Sequence, residues 1–267
     1  MTGKVYLVGA GPGDPELLTL KALRILREAD VIFHDDLVSP EILRLVPPEV
    51  RVSSVGKRCG RKSVTQAEIN SRMIAAAQQG LTVLRLKAGD PGIFGRGGEE
   101  IEALVDADVE FEIVPGVTSA CAAAASAGIS LTHRRSSSSV LFLTGHTSAA
   151  RTENQWPELN SGGIPDAATL VIYMPGPDYA QLRDRLRAAG VKGDTPCLLV
   201  SSASTGSAGT HSATVDKLAE LAITPAPNIL LVGDVTRAAR EAAGAALHQS
   251  VPWQQSPLED RIRPLTV

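Results

Sequence analysis

The stretch Val5-Tyr6-Leu7-Val8-Gly9-Ala10-Gly11-Pro12-Gly13-Asp14-Pro15 places a short apolar run directly before a turn of glycines and prolines. This order predicts a strand, a turn and then a helix, and the glycines would let a small ligand approach the backbone. The dinucleotide-binding fingerprint is disfavoured, because Asp14 stands where its third glycine belongs and a carboxylate opposes phosphate. A phosphate-binding loop is disfavoured as well, since no Gly-Lys-Ser/Thr follows the turn. The turn therefore predicts a small-molecule site of another kind.

Composition limits the class of protein. The 267 residues are 43% hydrophobic and 21% charged, which is enough for one large or two modest globular domains. A formal net charge of -3 argues against a nucleic-acid partner, because such proteins usually carry a basic excess or a basic face. No signal peptide and no transmembrane span are recognisable, so we expect a cytoplasmic protein without a membrane partner.

Neither the cysteines nor the histidines predict a metal site. Cys59, Cys121 and Cys197 lie far apart and form no Cys-x-x-Cys pair. The five histidines show no ligand spacing. No bound metal is therefore predicted.

Short β-rich runs alternate with helical patterns, which predicts an α/β architecture with largely parallel sheets. Strands are predicted at 5–8, 31–34, 51–55, 83–86, 109–114, 140–143, 169–173, 197–200 and 229–232. A capping box at 65–68 and Gly80 bound one helix, and others are predicted at 118–127, 179–189, 215–221 and 236–247. This succession predicts an N-terminal domain at 1–135, a C-terminal domain at 136–249 and an irregular tail at 250–267. The polar segment 147–166 is predicted to be a surface excursion.

Seven motifs follow one another in a set order, from Val-Gly-Ala-Gly-Pro-Gly-Asp-Pro to Thr-Gly-His. They occupy residues 8–15, 55–58, 85–91, 94–100, 114–120, 131–134 and 144–146. In this order they resemble the uroporphyrinogen-III C-methyltransferase family of the tetrapyrrole methylase superfamily. The resemblance covers roughly residues 3–236 and is sharper in the first half of the chain.

The resemblance implies a fold, a reaction and an assembly. The fold has two α/β domains, each with a mixed sheet flanked by helices, and the active site lies in the cleft between them. The reaction transfers methyl groups from S-adenosyl-L-methionine to C2 and C7 of uroporphyrinogen III, which gives precorrin-2 by way of precorrin-1 and leaves S-adenosyl-L-homocysteine. The family is homodimeric, and the length of 267 residues predicts a methyltransferase without fused domains.

The substrate carries eight carboxylates, which call for guanidinium and ammonium donors. By the resemblance, Arg96, Arg134 and Lys57 supply these donors, and Glu99 lies in the substrate site as a general base. Asp35 and Lys57 are the implied proton acceptor and proton donor. The residues alone leave alternatives open: Arg96 could salt-bridge a helix end, Arg134 could be a surface charge, Glu99 could be a helix-start residue and Asp35 a turn former.

The resemblance also implies a cofactor site. Its residues are Pro12, Ala88, Gly89, Asp90, Ile93, Thr118, Ser119, Met174, Ala203 and Ala226. Met174 could lie against adenine or against the tetrapyrrole, where it would join the catalytic group, but it could also fill the core. Thr118 could simply cap a helix.

Departures from the family pattern concern mainly the cofactor site. Ala88 replaces the first glycine of the usual Gly-Gly-Asp-Pro, which is tolerable only if its φ is negative. Residues 201–205 read Ser-Ser-Ala-Ser-Thr where Glu-Asn-Gly-Thr is typical. Two rival functions therefore stay open: methylation of a later precorrin, and a noncatalytic sensor of a tetrapyrrole or adenosyl ligand.

Overall fold

The computed structural model describes residues 2–56, 64–145, 156, 164–165 and 167–242. Lys57, Cys59, His146 and His248 lie outside the described residues, as do most of the excursion at 147–166 and the whole tail at 250–267. Within the described ranges, ten strands form two five-stranded sheets with helices around them. This arrangement confirms the predicted α/β fold.

The first sheet has the strand order β3-β2-β4-β1-β5, and every neighbouring pair is parallel. Its strands are β1 (Val5–Gly9), β2 (Val31–His34), β3 (Arg51–Ser54), β4 (Val83–Lys87) and β5 (Phe111–Val114). The expectation of a mixed sheet is wrong here, because crossovers that contain helices join the strands and return the chain to the same sheet edge. The carboxyl ends of these strands therefore meet at one edge, where open α/β sheets bind ligands.

Four helices of the described ranges cover the two faces of this sheet. They are α1 (Leu20–Glu28), α2 (Pro40–Leu43), α3 (Gln66–Gln78) and α4 (Gly97–Asp106). Ile32 and Leu84 pack with α1 and α2 on one face, whereas Val31 and Val83 pack with α3 and α4 on the other. This alternation follows the two-residue period of a strand, so Arg85 and Lys87 share the α3 and α4 face with Val83.

The second sheet is mixed and has the order β6-β7-β10-β8-β9. Its strands are β6 (Ser139–Thr144), β7 (Ala168–Tyr173), β8 (Pro196–Ser201), β9 (Gly209–Thr214) and β10 (Asn228–Val232). Only the β6–β7 pair is parallel. The expected mixed sheet is thus confirmed for this half, although β9 was not predicted. The domain boundary between residues 135 and 136 stays a prediction.

Helix α5 (Ser119–Ser126) connects the first sheet to the second, and the residues after it include α6 (Tyr179–Ala188), α7 (Arg237–Ala242) and 3-10 helices such as Val215–Glu220. The helix predicted at 215–221 is present and is a 3-10 helix. One face of α5 is alanine, and Ala120, Ala123 and Ala124 pack directly on the second sheet. Small side chains let this helix join the two sheets at close range, as its composition predicts.

Helix ends explain where several boundaries fall. Gly80 (φ 84°), Gly128 (φ 66°) and Gly190 (φ 88°) follow the C-caps of α3, α5 and α6, where a left-handed residue closes the helix. At the end of α4 a non-glycine residue, Asp108, takes this conformation with a φ of 51°. The amide of Val109 then donates to the Leu104 carbonyl at 3.0 Å, so β5 begins at Phe111 and not at the predicted 109.

None of the described helices combines the length and the apolar composition that a membrane span requires.

Candidate active site

Three loops meet at the carboxyl edge of the first sheet, and each contributes a glycine. A Cβ added to Gly9 would lie 2.6 Å from the Gly116 Cα and from the Gly89 carbonyl oxygen. A Cβ on Gly116 would lie 2.3 Å from that same oxygen. Contacts this short are impossible for a side chain, so glycine is required for the three backbones to touch. The three segments are therefore packed backbone against backbone at this edge, with Gly9 and Gly89 buried and Gly116 partly exposed.

The loop after β4 is locked to the loop after β1. The amide of Gly89 donates to the Gly11 carbonyl at 2.7 Å, and the Gly11 amide donates back at 3.1 Å. Gly89 has a φ of 68°, whereas the φ of Ala88 is not positive. The condition for a methyl group at position 88 is therefore met.

Asp90 ties the β4 loop to the β5 loop. Its Oδ1 accepts from the Gly92 amide at 2.8 Å, and its Oδ2 accepts from the Gly116 amide at 3.0 Å. Each oxygen keeps a lone pair for a ligand donor. The structure thus gives Asp90 a scaffold role that the sequence did not predict, beside the cofactor role that stays a prediction.

We expect Asp90→Ala to weaken the binding of S-adenosyl-L-homocysteine, because two charge-assisted hydrogen bonds that hold the loops are lost. Such bonds contribute about 1.5–3 kcal/mol each, so the unfolding temperature should fall as well. Asp90→Asn keeps one acceptor oxygen, so its affinity and unfolding temperature should lie between those of wild type and Asp90→Ala. Calorimetric titration together with thermal unfolding measures both effects. Unchanged affinity in both variants would exclude Asp90 from the cofactor site.

Tyr173, the last residue of β7, joins the two sheets. Its hydroxyl lies 2.6 Å from the Thr118 hydroxyl, at the start of α5. Its ring lies 5.0 Å from the ring of Phe94, in the loop between β4 and α4. Thr118 is the N-cap residue of α5 by backbone geometry, but its side chain makes no capping hydrogen bond. The simple capping role is therefore not what this hydroxyl does.

We expect Tyr173→Phe to lower the free energy of unfolding by about 0.5–1.5 kcal/mol, because one hydroxyl pair across the two sheets is lost. Burial raises the pKa of Tyr173, so its hydroxyl stays protonated and able to donate. Thr118→Val should have little further effect in that background, as a double-mutant cycle would show. Tyr179→Phe is the matched control, since its hydroxyl lies 3.4 Å from Thr224. Additive effects of the Thr118 and Tyr173 changes would contradict the pairing.

The other predicted cofactor residues line the same two edges. Ile93 and Ala203 pack against the cluster that contains Tyr173. Met174 follows β7 with a φ of 49°, and 48% of its surface is exposed, so it does not fill the core. Pro12 and Ser119 are half-buried, and Ala226 is exposed before Pro227.

The edge of the second sheet also touches the first. The Ser202 amide donates to the Pro227 carbonyl at 2.8 Å, which places residues 202–203 beside 226–227. A Cβ built on Gly13 would lie 3.2 Å from the Thr205 Cγ2. The structure thus brings the loop of 11–13 against the divergent segment 201–205.

A buried charge network lies behind this edge, and we call it the charged frame: Arg85, Lys87, Glu100 and Asp35. Arg85 and Lys87 on β4 are 2% and 1% exposed, and Glu100 on α4 is fully buried. The Arg85 Nε donates to the Glu100 Oε1 at 2.9 Å, and its Nη2 donates to the Asp35 Oδ1. The Lys87 Nζ lies 3.1 Å and 3.0 Å from the two Glu100 oxygens and 3.8 Å from the Asp35 Oδ2.

The frame is electrically balanced, with two cations and two carboxylates. The pKa of Lys87 is lowered, first by burial and then by the charge of Arg85. The pKa of Arg85 is raised, because the attraction of Asp35 and Glu100 outweighs the effect of its burial. Asp35, at the end of β2, is the member whose side chain reaches the surface, with 31% exposed.

Glu100 stands in the first turn of α4, but its carboxylate is buried against Arg85, Lys87 and Gln66 and so does more than favour a helix start. Sequence reasoning missed Arg85 and Lys87 as members of the site. The available signal was their spacing: two cations with two-residue periodicity on a central strand whose other residues are apolar.

Arg96 and Glu99 form an ion pair at the start of α4. The Arg96 Nε and Nη2 donate to the two Glu99 oxygens at 2.8 Å and 2.6 Å, and about half of each side chain is exposed. This pairing lowers the pKa of Glu99 through the hydrogen bonds of Arg96. Glu99 is therefore a weak base while it is paired, and its role as a general base stays a prediction.

Arg134 is exposed in the tight turn between His133 and Ser137, whose backbones bond to each other at 2.9 Å and 2.8 Å. In the ranges that the structure describes, no ion pair engages Arg134. Lys57 lies outside those ranges. The described residues also contain no cluster of three or more metal-ligating side chains.

The fold and the site define a class of protein. The two sheets meet through α5 and Tyr173, glycine loops pack backbone against backbone at the carboxyl edge of a parallel sheet, and the charged frame lies behind them. This is an α/β architecture with a candidate small-molecule site between its two sheets.

The chain belongs to the tetrapyrrole methylase family. The family model "Tetrapyrrole (Corrin/Porphyrin) Methylases" matches residues 4–221. The uroporphyrin-III-C-methyltransferase of Thermus thermophilus has a similar structure, with 39% identity, a TM-score of 0.74, and coverage of 93% of this chain and 98% of that chain. Another structure of that enzyme, complexed with S-adenyl homocysteine, has 37% identity, a TM-score of 0.73, and coverage of 88% and 100%.

The siroheme synthase of Hahella chejuensis is 46% identical over 240 residues, which are 88% of this chain and 50% of that protein. The chain thus spans about half the length of the siroheme synthases that it matches.

Proposed function

We propose that this protein transfers methyl groups from S-adenosyl-L-methionine to C2 and C7 of uroporphyrinogen III. One observation carries the proposal: the likeness to the Thermus enzyme extends over almost the whole of both chains and includes a complex with the demethylated cofactor. The motifs that narrow the resemblance to this substrate, around Arg96 and Arg134, are intact.

The residues present fit the methyl donor. The junction of Gly9, Gly89 and Gly116 brings backbone together without intervening side chains, and Met174, which follows β7, has 48% of its surface exposed. When bound, S-adenosyl-L-methionine supplies an electrophilic methyl group on a sulfonium. The protein's own task is to hold the two reactants in line, and such positioning can contribute about 7–11 kcal/mol.

The charged side chains divide the remaining work. Arg96 stands on a loop of small residues. Breaking its ion pair with Glu99 would free the guanidinium for a ring carboxylate and leave the Glu99 carboxylate as a second candidate base beside Asp35. Asp35 would accept the proton that leaves the methylated ring. Arg134 and Lys57 would bind further carboxylates. The protein would act as a homodimer in the cytoplasm, which chromatography with light scattering and cell fractionation can test.

The experiment compares acceptors. The protein is incubated anaerobically with labelled S-adenosyl-L-methionine and either uroporphyrinogen III, precorrin-2 or no tetrapyrrole. The proposal expects label in the tetrapyrrole only with uroporphyrinogen III. Label only with precorrin-2 would instead indicate a methyltransferase of a later step, and cofactor binding without any transfer would indicate a sensor.

A further inference from the structure

Arg85 is an unusual residue for the centre of a parallel sheet. It lies on β4 opposite Leu7 of β1 and Phe33 of β2, and 2% of it is exposed. Burying an ion pair is costly, and apolar residues of similar volume are often at least as stabilising. A charged frame at this place therefore needs a reason other than stability.

We propose that Arg85 is a positioning residue that holds the Asp35 carboxylate in the orientation in which it accepts a proton. This inference rests on the proposed function, because it assigns Asp35 its role in that reaction. Arg85 itself is buried and touches no reacting atom. Its effect passes entirely through Asp35.

The guanidinium is fixed by bonds in all directions. Its Nε donates to the Glu100 Oε1 at 2.9 Å, while Nη1 lies 3.3 Å and 3.4 Å from the carbonyl oxygens of Leu86 and Phe33. The remaining nitrogen, Nη2, donates to the Asp35 Oδ1. A planar group held by three contacts at two of its nitrogens cannot rotate, so the direction of the fourth contact, from Nη2, is set as well.

Asp35 is the member of the frame that a substrate can reach. It follows β2 at the carboxyl edge, where its amide donates to the Leu86 carbonyl at 3.2 Å. One oxygen is held by Arg85, and the other lies 3.8 Å from the Lys87 ammonium. A carboxylate that is anchored from the buried side and open on the other side is suited to meet a proton donor in one orientation.

The charged frame also contacts the loop that carries Arg96. The Lys87 Cε would lie 3.2 Å from a Cβ on Gly95, so the lysine stem packs directly beneath the residue before Arg96. Glu100, which binds both cations, is one residue after Glu99 on α4. The buried members of the charged frame therefore contact both Asp35 and the loop that carries Arg96.

Lysine cannot reproduce the fork of arginine. Arg85→Lys keeps the positive charge, but a single ammonium cannot donate to Glu100 and Asp35 from the two positions that Nε and Nη2 occupy. We expect kcat to fall roughly 10- to 100-fold, because misplacement of a reacting group by about 1 Å can cost about 100-fold. The KM for S-adenosyl-L-methionine should stay within about twofold, since the glycine loops are untouched.

The decisive experiment is a kinetic cycle of wild type, Arg85→Lys, Asp35→Asn and the double variant. Asp35→Asn should lower kcat by about 100-fold or more. If Arg85 acts through Asp35, the double variant is no slower than Asp35→Asn alone. Ile25→Val, a core change on the opposite face of the same sheet, is the control for lost stability and should leave kcat unchanged.

Two results would overturn the inference: a kcat of Arg85→Lys equal to wild type, or effects of the two single changes that multiply in the double variant. A crystal structure of Arg85→Lys distinguishes failure of this positioning role from failure of the proposed function. If wild type proves inactive on uroporphyrinogen III but the Asp35 carboxylate turns away in the variant, the positioning holds and the assigned reaction fails. An unmoved Asp35 carboxylate contradicts the positioning whatever the activity.

Discussion

Replacement of Arg96 by alanine is expected to reduce kcat/KM for the tetrapyrrole about 30- to 150-fold while the affinity for S-adenosyl-L-homocysteine changes less than about twofold. The reason is that a carboxylate of the substrate loses a forked, charge-assisted donor, which contributes about 2–3 kcal/mol. The backbone itself is not disturbed: Arg96 has a φ of 57°, and alanine carries the same Cβ into that conformation.

Steady-state kinetics and calorimetric titration measure the two quantities separately. Arg187→Ala is the matched control, because the side chain of Arg187 is 48% exposed and that of Arg96 is 52% exposed. Arg96→Lys should recover only part of the loss, since it restores the charge without the fork. Equal losses of cofactor affinity and turnover in Arg96→Ala would remove Arg96 from the substrate site.

The second large effect is on stability. Glu100→Ala is expected to lower the free energy of unfolding by about 3–5 kcal/mol, because it leaves Arg85 and Lys87 buried with Asp35 as their only described counter-ion. For a chain of this size the unfolding temperature should drop by about 6–20 °C. Glu100→Gln, which keeps the shape and one acceptor oxygen, should fall between wild type and alanine.

Glu102→Ala serves as the control, since Glu102 is exposed on the same helix and its loss should change stability by less than about 0.5 kcal/mol. Thermal unfolding of the three variants measures the comparison. Similar unfolding temperatures for Glu100→Ala and Glu102→Ala would mean that the charged frame does not depend on Glu100.

The architecture could be predicted because its strands are apolar and its helices carry local end signals. The runs at Val31–His34 and Val83–Lys87 are continuous and buried, and the capping box at Thr65 with Gly80 bounds α3 almost to the residue. β9 could not be found in this way, because Gly-Thr-His-Ser-Ala-Thr is a polar edge strand that is specified only by its pairing with β8.

The candidate site likewise contains features that the sequence predicts and features that it does not. Glycines such as Gly89 and Gly116 could be assigned from motifs, because backbone contact leaves a direct mark in the sequence. The partners of Asp90 and Thr118 could not, since Gly116 and Tyr173 lie 26 and 55 residues away along the chain. The charged frame could not be predicted for a further reason. A cation in a strand is expected to be exposed unless its buried counter-ion is known, and here that counter-ion, Glu100, lies on a separate element, α4.

The central claim is tested most directly by the position of the transferred methyl groups. Uroporphyrinogen III and S-adenosyl-L-methionine with a ¹³C-labelled methyl group are incubated anaerobically with the protein, and the tetrapyrrole is examined by ¹³C NMR. The account predicts two labelled methyl groups per tetrapyrrole, at C2 and C7, and much slower labelling at both positions in Arg96→Ala. Absence of label from the ring in a preparation that binds S-adenosyl-L-homocysteine, or label at other positions, would contradict it.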